Sequence, residues 1–108
     1  MQPTLIYITA SGREEAILLA RELLGKKLVA CANVIDNVNS YYWWDGSIEN
    51  NKEAVIIVKT MSTHVERVID VVKKEHSYEC PAIISVPITG GNPEYIEWIG
   101  KQISSENL

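Results

Sequence analysis

Between Leu28 and Thr60 the sequence reads as two long strand-like runs joined at Asp45-Gly46. Asp-Gly at such a junction signals a two-residue hairpin, because both residues tolerate the positive φ that the mirror-image turn requires. The arms hold about 17 and 14 residues, and at roughly 3.3 Å per residue the longer one reaches on the order of 50 Å. A compact chain of 108 residues has a radius of gyration of only about 13 Å. Such a hairpin cannot lie wholly on its own domain unless a bulge folds it. The overhanging part carries Tyr41, Tyr42, Trp43 and Trp44, and these rings are expected to be buried against other copies of the same chain.

The flanking segments supply the body. Thr4 to Ala10 alternates and is rich in β-branched residues, so it predicts a first strand. Ser11 and Glu14 have the spacing of a capping box, opening a helix to about Leu24 that buries Ala16, Leu19, Ala20 and Leu23, with Ile17 and Leu24 beside them, and ends at Gly25. Leu28-Val29-Ala30-Cys31-Ala32 starts the first hairpin arm, and Asp36-Asn37 is the expected bulge. Ala54 to Val58 is the apolar base of the return arm. Thr63 and Glu66 form a second capping box, and Val65, Val68, Ile69 and Val72 share one face of a helix expected to finish near His76. Ala82 to Ile88 alternates as a last strand, with Pro87 marking an edge or an end. Asn92 and Pro93 open a final helix with Tyr95, Ile96, Trp98 and Ile99 on its apolar side.

The order β-α-β-β-α-β predicts an α+β fold: a single ferredoxin-like domain over 1–108, a split βαβ sandwich with a long β-hairpin and a short C-terminal helix. Both main helices cover one face of the sheet. The other face has no cover except the last helix, which again points to self-association.

Charge and hydropathy exclude several partners. The net charge is −4, and Lys26-Lys27 and Lys73-Lys74 are only short pairs, so neither nucleic acid nor an anionic membrane is expected as a partner. The longest apolar runs have five residues, against the roughly 18 that suggest a membrane span. The N-terminus lacks the pattern of a secretory signal, and Cys31 and Cys80 make no disulfide framework, so a cytoplasmic protein is expected.

Several stretches together resemble one family. They are Leu28-Val29-Ala30-Cys31-Ala32-Asn33, Ser40-x-Tyr42-x-Trp44-x-Gly46-x-Ile48-Glu49, Glu53, Lys59-Thr60, His76-x-Tyr78-Glu79-x-Pro81 and Tyr95-x-x-Trp98. The chain looks like a divalent-cation-tolerance protein of the CutA family. The resemblance implies a homotrimer whose hairpins wrap neighbouring subunits, a link to copper and other divalent cations, no required cofactor and no catalytic activity. It implies a cleft or interface between subunits involving Tyr42, Trp44, Glu49, Glu53, Lys59, Tyr78 and Trp98. Some members place a Cys near the end of the first strand and a second His beside the one matching His76. Ile8 and Glu75 stand there in this chain.

The residues themselves give a weaker metal signal. His76, Glu75, Cys31 and Glu79 are the candidate ligands for Cu²⁺ or another divalent cation, with His64 and Cys80 as further donors. None stands in a specific ligand spacing. The plain readings are a helix-end role for His76, a small core residue for Cys31 and a solvated first-turn position for His64. Ser11-Gly12-Arg13 reads as an ordinary capped helix before it reads as an anion site.

Three other classes share the strand order. A trimeric ligand-sensing regulator of the nitrogen-regulatory type would carry a long loop where the tight Asp45-Gly46 turn stands. An RNA-binding module would carry aromatics in Lys52 to Val58, which has none. An acylphosphatase-like enzyme would need a partner for Arg13, and no activated nucleophile or carboxylate pair accompanies it.

Overall fold

The computed structural model describes residues 1–105. β1 (Pro3–Ala10) alternates as its sequence predicts: Thr4, Ile6, Ile8 and Ala10 are buried on one side, while Leu5, Tyr7 and Thr9 face the other. β2 (Cys31–Trp44) and β3 (Ser47–Met61) form the hairpin, and β4 (Ile83–Pro87) completes a sheet of order β2-β3-β1-β4 with every pairing antiparallel. α1 (Arg13–Gly25) and α2 (Val65–Glu75) pack on one face, and α3 (Pro93–Gln102) lies at the other. This is the expected ferredoxin-like plan.

The core lies between α1, α2 and the sheet. Ala16, Leu19, Ala20 and Leu23 of α1 meet Ile6, Ile8, Ile56 and Val58 of the strands and Val68 and Val72 of α2. A smaller cluster joins Met61, Ile99 and Ile103 under α3. The Asn92 side chain caps α3 by accepting from the Glu94 N–H at 3.1 Å, with Pro93 in the first turn, as expected.

The hairpin is long. The molecule measures 43 × 27 × 22 Å, and Tyr41, Trp43, Trp44 and Ile48 at the tip are 64–72% exposed. Asp45 (φ 50°) and Gly46 (φ 81°) both take the left-handed conformation between the paired residues Trp44 and Ser47, which is the mirror-image turn. The expected bulge is present. Ile35 pairs with Val55 and Val38 with Glu53, so Asp36 and Asn37 together oppose Ala54, with Asn37 at φ 59°.

Local expectations fail at four places. The first hairpin arm begins at Cys31, not Leu28. α1 ends in a Schellman motif: the Leu28 N–H donates to the Leu23 carbonyl and the Lys27 N–H to the Leu24 carbonyl, both at 3.0 Å. That turn puts Lys27, not Gly25, in the left-handed conformation at φ 57°, and it buries Leu28 and Val29 before the strand starts. Neither capping box forms as spaced. Glu15, not Glu14, reaches back to the Ser11 N–H at 2.9 Å, and Gly12 is the N-cap. Thr63 turns to the neighbouring His64 Nδ1 at 2.9 Å, because Ser62–His64 forms a 3-10 turn ahead of α2. His64 is therefore not solvated. It is fully buried, with Nε2 3.1 Å from the Ser104 carbonyl oxygen. β4 spans Ile83–Pro87, shorter than the expected Ala82 to Ile88. It is an edge strand, as Pro87 implied.

Candidate functional site

The distal hairpin and the connection from α2 to β4 enclose the main cleft. Strand alternation sets Glu49, Asn51 and Glu53 of β3 on the face opposite α1 and α2. Beyond the bulge, Ser40 and Tyr42 of β2 stand directly across from Asn51 and Glu49 and share that face. The bulge decides this. Unbroken alternation from Cys31, Asn33 and Ile35 would send Tyr41 and Trp43 there instead of Tyr42 and Trp44. Thr9 of β1 and Tyr78, Glu79 and Cys80 of the connection complete a cavity of about 900 Å³.

A chain of hydrogen bonds fixes the cleft wall. The Tyr78 hydroxyl donates to Glu53 Oε2 at 2.8 Å. The Asn51 amide donates to the Tyr42 hydroxyl. Burial, the Glu53 hydrogen bond, and the electrostatic influence of Glu53, Glu15 and Tyr42 push the Tyr78 phenol up to about 12.

Behind the wall sits His76, whose side chain is fully buried. Its Nε2–H donates to the Thr9 carbonyl at 2.7 Å, and its Nδ1 accepts from the Tyr78 N–H at 3.0 Å. Those partners assign the neutral imidazole with its proton on Nε2. The ring also leans on Tyr78, with centroids 4.7 Å apart. Glu15 holds the same loop: its Oε2 accepts from the Ser77 N–H at 2.8 Å while Oε1 accepts from the Ser11 N–H. Burial raises the Glu15 carboxyl, but hydrogen bonds from Ser11 and Ser77 outweigh it and hold the group at about 2. Ser11 therefore offers its backbone donor to the chain's own carboxylate.

The sequence candidates divide between two places. Tyr42, Trp44, Glu49, Glu53, Tyr78 and Glu79 line the cleft. Lys59 and Trp98 do not. Lys59 Nζ lies 2.8 Å from Asn33 Oδ1 and 3.6 Å from Cys31 Sγ, with the Tyr95 ring centroid 5.9 Å away, and Tyr95 stacks on Trp98. Cys31 is partly exposed beside this ammonium on the open sheet face, so it is not a core residue. Glu75 ends α2 and is exposed. The metal candidates His76, Glu75, Cys31 and Glu79 do not converge: among the described residues no group of three His, Cys, Asp or Glu side chains could hold an ion.

Glu15, Asn51 and Thr9 were not singled out from the sequence, and Ser40 entered only as part of the motif that carries the resemblance. Counting back from the Asp45-Gly46 turn pairs 42 with 49 and 40 with 51, so Asn51 and Ser40 were legible once the turn was accepted. Glu15 had no such signal, because Glu14 alone fits the capping-box spacing.

Sheet order, helices and overlong hairpin define a ferredoxin-like α+β protein with an aromatic, carboxylate-bearing cleft along its distal hairpin. The chain belongs to the CutA1 divalent ion tolerance family, whose model matches residues 4–102. It is 45% identical over 98 residues to the divalent-cation tolerance protein CutA of Archaeoglobus fulgidus, covering 91% of this chain and 95% of that one. The structure of the A. fulgidus protein, described as periplasmic, superposes with a TM-score of 0.91 at 43% identity, over 94% of this chain and 99% of that one. CutA1 of Oryza sativa superposes with a TM-score of 0.94 at 31% identity, over 98% and 97% of the two chains. The full-length chloroplastic rice protein is 35% identical over 94 residues, and the match covers 87% of this chain but about half, 53%, of that one. Among the described residues no helix is long and apolar enough to cross a membrane.

Proposed function

We propose that the chain works as a homotrimeric, non-enzymatic protein of divalent metal-ion tolerance, binding Cu²⁺ or another divalent cation at modest affinity. The observation that carries the trimer is the tip of the hairpin. Tyr41, Trp43, Trp44 and Ile48 are largely exposed, and Ile84, Val86 and Tyr7 are exposed on the open sheet face. Apolar surface on this scale marks an interaction site, and rings with a polar edge suit an interface between subunits. Sedimentation equilibrium tests it: a mass of three chains with blue-shifted tryptophan emission is expected, and a stable single subunit with water-exposed emission sinks it.

Family membership supports the metal link. His76, Glu75, Cys31 and Glu79 remain the candidate donors. Because His76 already uses both ring nitrogens, a cation there must displace the Tyr78 N–H or the Thr9 carbonyl. Calorimetry of the full chain with Cu²⁺ and Zn²⁺ at neutral pH is the direct measurement, and absence of heat removes direct binding. The cytoplasm is the proposed compartment, tested by fractionation, since relatives carry names that place one in the chloroplast and one in the periplasm.

A second reading, a trimeric sensor of a small ligand, is favoured by the cleft. Its volume of about 900 Å³ falls within the roughly 300–1,000 Å³ of small-molecule sites.

A further inference from the structure

The base of the hairpin sets a thiol against an amine. Cys31, the first residue of β2, pairs directly with Lys59 of β3. Residues opposite each other in an antiparallel pair share a face, with Cβ atoms about 4.5–5.5 Å apart. Lys59 Nζ lies 3.6 Å from Cys31 Sγ. Asn33, on the same face, accepts from the same nitrogen at 2.8 Å, and the Tyr95 ring centroid stands 5.9 Å from it. The ammonium is thus held beside the sulfur instead of wandering on its flexible stem.

These contacts are made within one chain. They follow from strand register, so they hold whichever surfaces neighbouring copies cover. The second cysteine, Cys80, lines the distal cleft, so the group set against Cys31 is an amine and not a thiol. An N–H that donates to sulfur aims its nitrogen there. Once that proton passes to solvent, the lone pair left behind points at the sulfur. The 3.6 Å gap is close to the roughly 3–3.5 Å of a near-attack pair. An amine so placed can capture an oxidised sulfur, as a backbone nitrogen does when a sulfenic acid condenses to a sulfenamide.

The geometry points to an oxidation-driven cross-link between Cys31 and Lys59, a sulfenamide that closes under a hydroperoxide and reopens with a thiol reductant. In the first step the Cys31 sulfur attacks hydrogen peroxide. The O–O bond breaks, an S–O bond forms, and the other oxygen leaves as water; sulfur is oxidised and the peroxide reduced. In the second step the Lys59 ammonium gives a proton to solvent and its lone pair attacks the sulfur. The S–O bond breaks, an S–N bond forms, and the hydroxyl leaves as water with an amine proton. The bridge ties the first residue of the edge strand β2 to β3 and takes Cys31 out of the candidate cation donors. It does not rest on the metal link.

The test treats the full chain, in its native assembly, with hydrogen peroxide and follows intact mass, free thiols and a trypsin map. The expected product has lost two hydrogens and one of the two thiols of the chain. Trypsin no longer cuts after Lys59, and the peptides holding Cys31 and Lys59 travel together until dithiothreitol parts them. Cys80→Ser is expected to form the same product. Lys59→Arg keeps the charge but should lose the cross-link, with oxygen retained on Cys31 instead. Should Lys59→Arg misfold by circular dichroism, the trypsin map of the parent decides alone. A product that needs Cys80, chains joined to one another on a non-reducing gel, oxygen gained at Cys31 with cleavage after Lys59 intact, or an unchanged mass each overturns the proposal.

Discussion

The Tyr78 hydroxyl donates to Glu53 Oε2 at 2.8 Å, tying the loop after α2 to the distal half of β3 across 25 positions of sequence. Tyr78 also touches His76 through its backbone N–H and its ring. One residue thus joins the buried imidazole to the cleft, and its loss should be felt on both sides.

Tyr78→Phe keeps the ring and removes the bond. The stability loss at neutral pH should be about 1 kcal/mol, below that of a fully buried bond to a charged group because both partners keep some solvent contact. The pH dependence has a definite sign. The folded phenol is raised from 10.0 to about 12, so its contribution is complete below 10 and is lost as pH climbs through 12. Tyrosinate absorbance should show one of the five tyrosines ionising late, and that late step should vanish in Tyr78→Phe.

Glu15 governs the acid limb. Its folded carboxyl lies at about 2 against 4.5 for the free group, so its stabilisation is present above 4.5 and is lost as pH falls through 2. Glu15→Gln should lower the urea midpoint at neutral pH by the equivalent of about 1.5–3 kcal/mol, the range for hydrogen bonds to a charged group. The variant should also have a flatter stability profile between 4.5 and 2. A profile as steep as that of the parent would assign the acid sensitivity to another carboxylate.

Lys27 occupies the left-handed position of the Schellman motif after α1, at φ 57°. A side chain there costs on the order of 1–2 kcal/mol relative to glycine, partly offset by the greater freedom of glycine in the unfolded chain. Lys27→Gly should therefore raise stability by about 0.5–1 kcal/mol, read as a higher denaturant midpoint with an unchanged slope.

What the sequence disclosed follows physical period. β1, α1 and α2 were legible because each shows one strong repeat, two residues for the strand and 3.6 for the helices; Ala16, Leu19, Ala20 and Leu23 of α1 are buried as expected, while Leu24, expected beside them, is exposed. Asp45-Gly46 disclosed the turn because few residue pairs accept two positive φ values. The caps were less legible, since Glu14 has the capping-box spacing and what favours Glu15 instead is the Ser77 N–H, 62 positions away. The burial of His64 depends on Ser104, 40 positions on, for the same reason. The cleft was half legible: local pairing placed Tyr42 across from Glu49, but nothing local separates Lys59 from the other polar residues expected there.

The bulge offers the sharpest test of how the hairpin is built. Asp36 and Asn37 together oppose Ala54, a fully buried core residue, and both stay exposed because the extra residue lets the strand step outward. Deleting Asn37 leaves every flanking pair intact, Ile35 with Val55 and Val38 with Glu53, but sets Asp36 directly across from Ala54. A paired position shares its face, so the carboxylate would point into the core against Ile56 and α1. An uncompensated buried charge costs about 3 kcal/mol or more, so the deletion should unfold at markedly lower urea. Adding Asp36→Ala to the deletion removes the charge while keeping the shortened strand, and it should recover most of the loss. If the deletion alone is as stable as the parent, β2 absorbs the missing residue by sliding. In that event the pairing of Tyr42 with Glu49 shifts, and tryptophan emission from the tip changes with it.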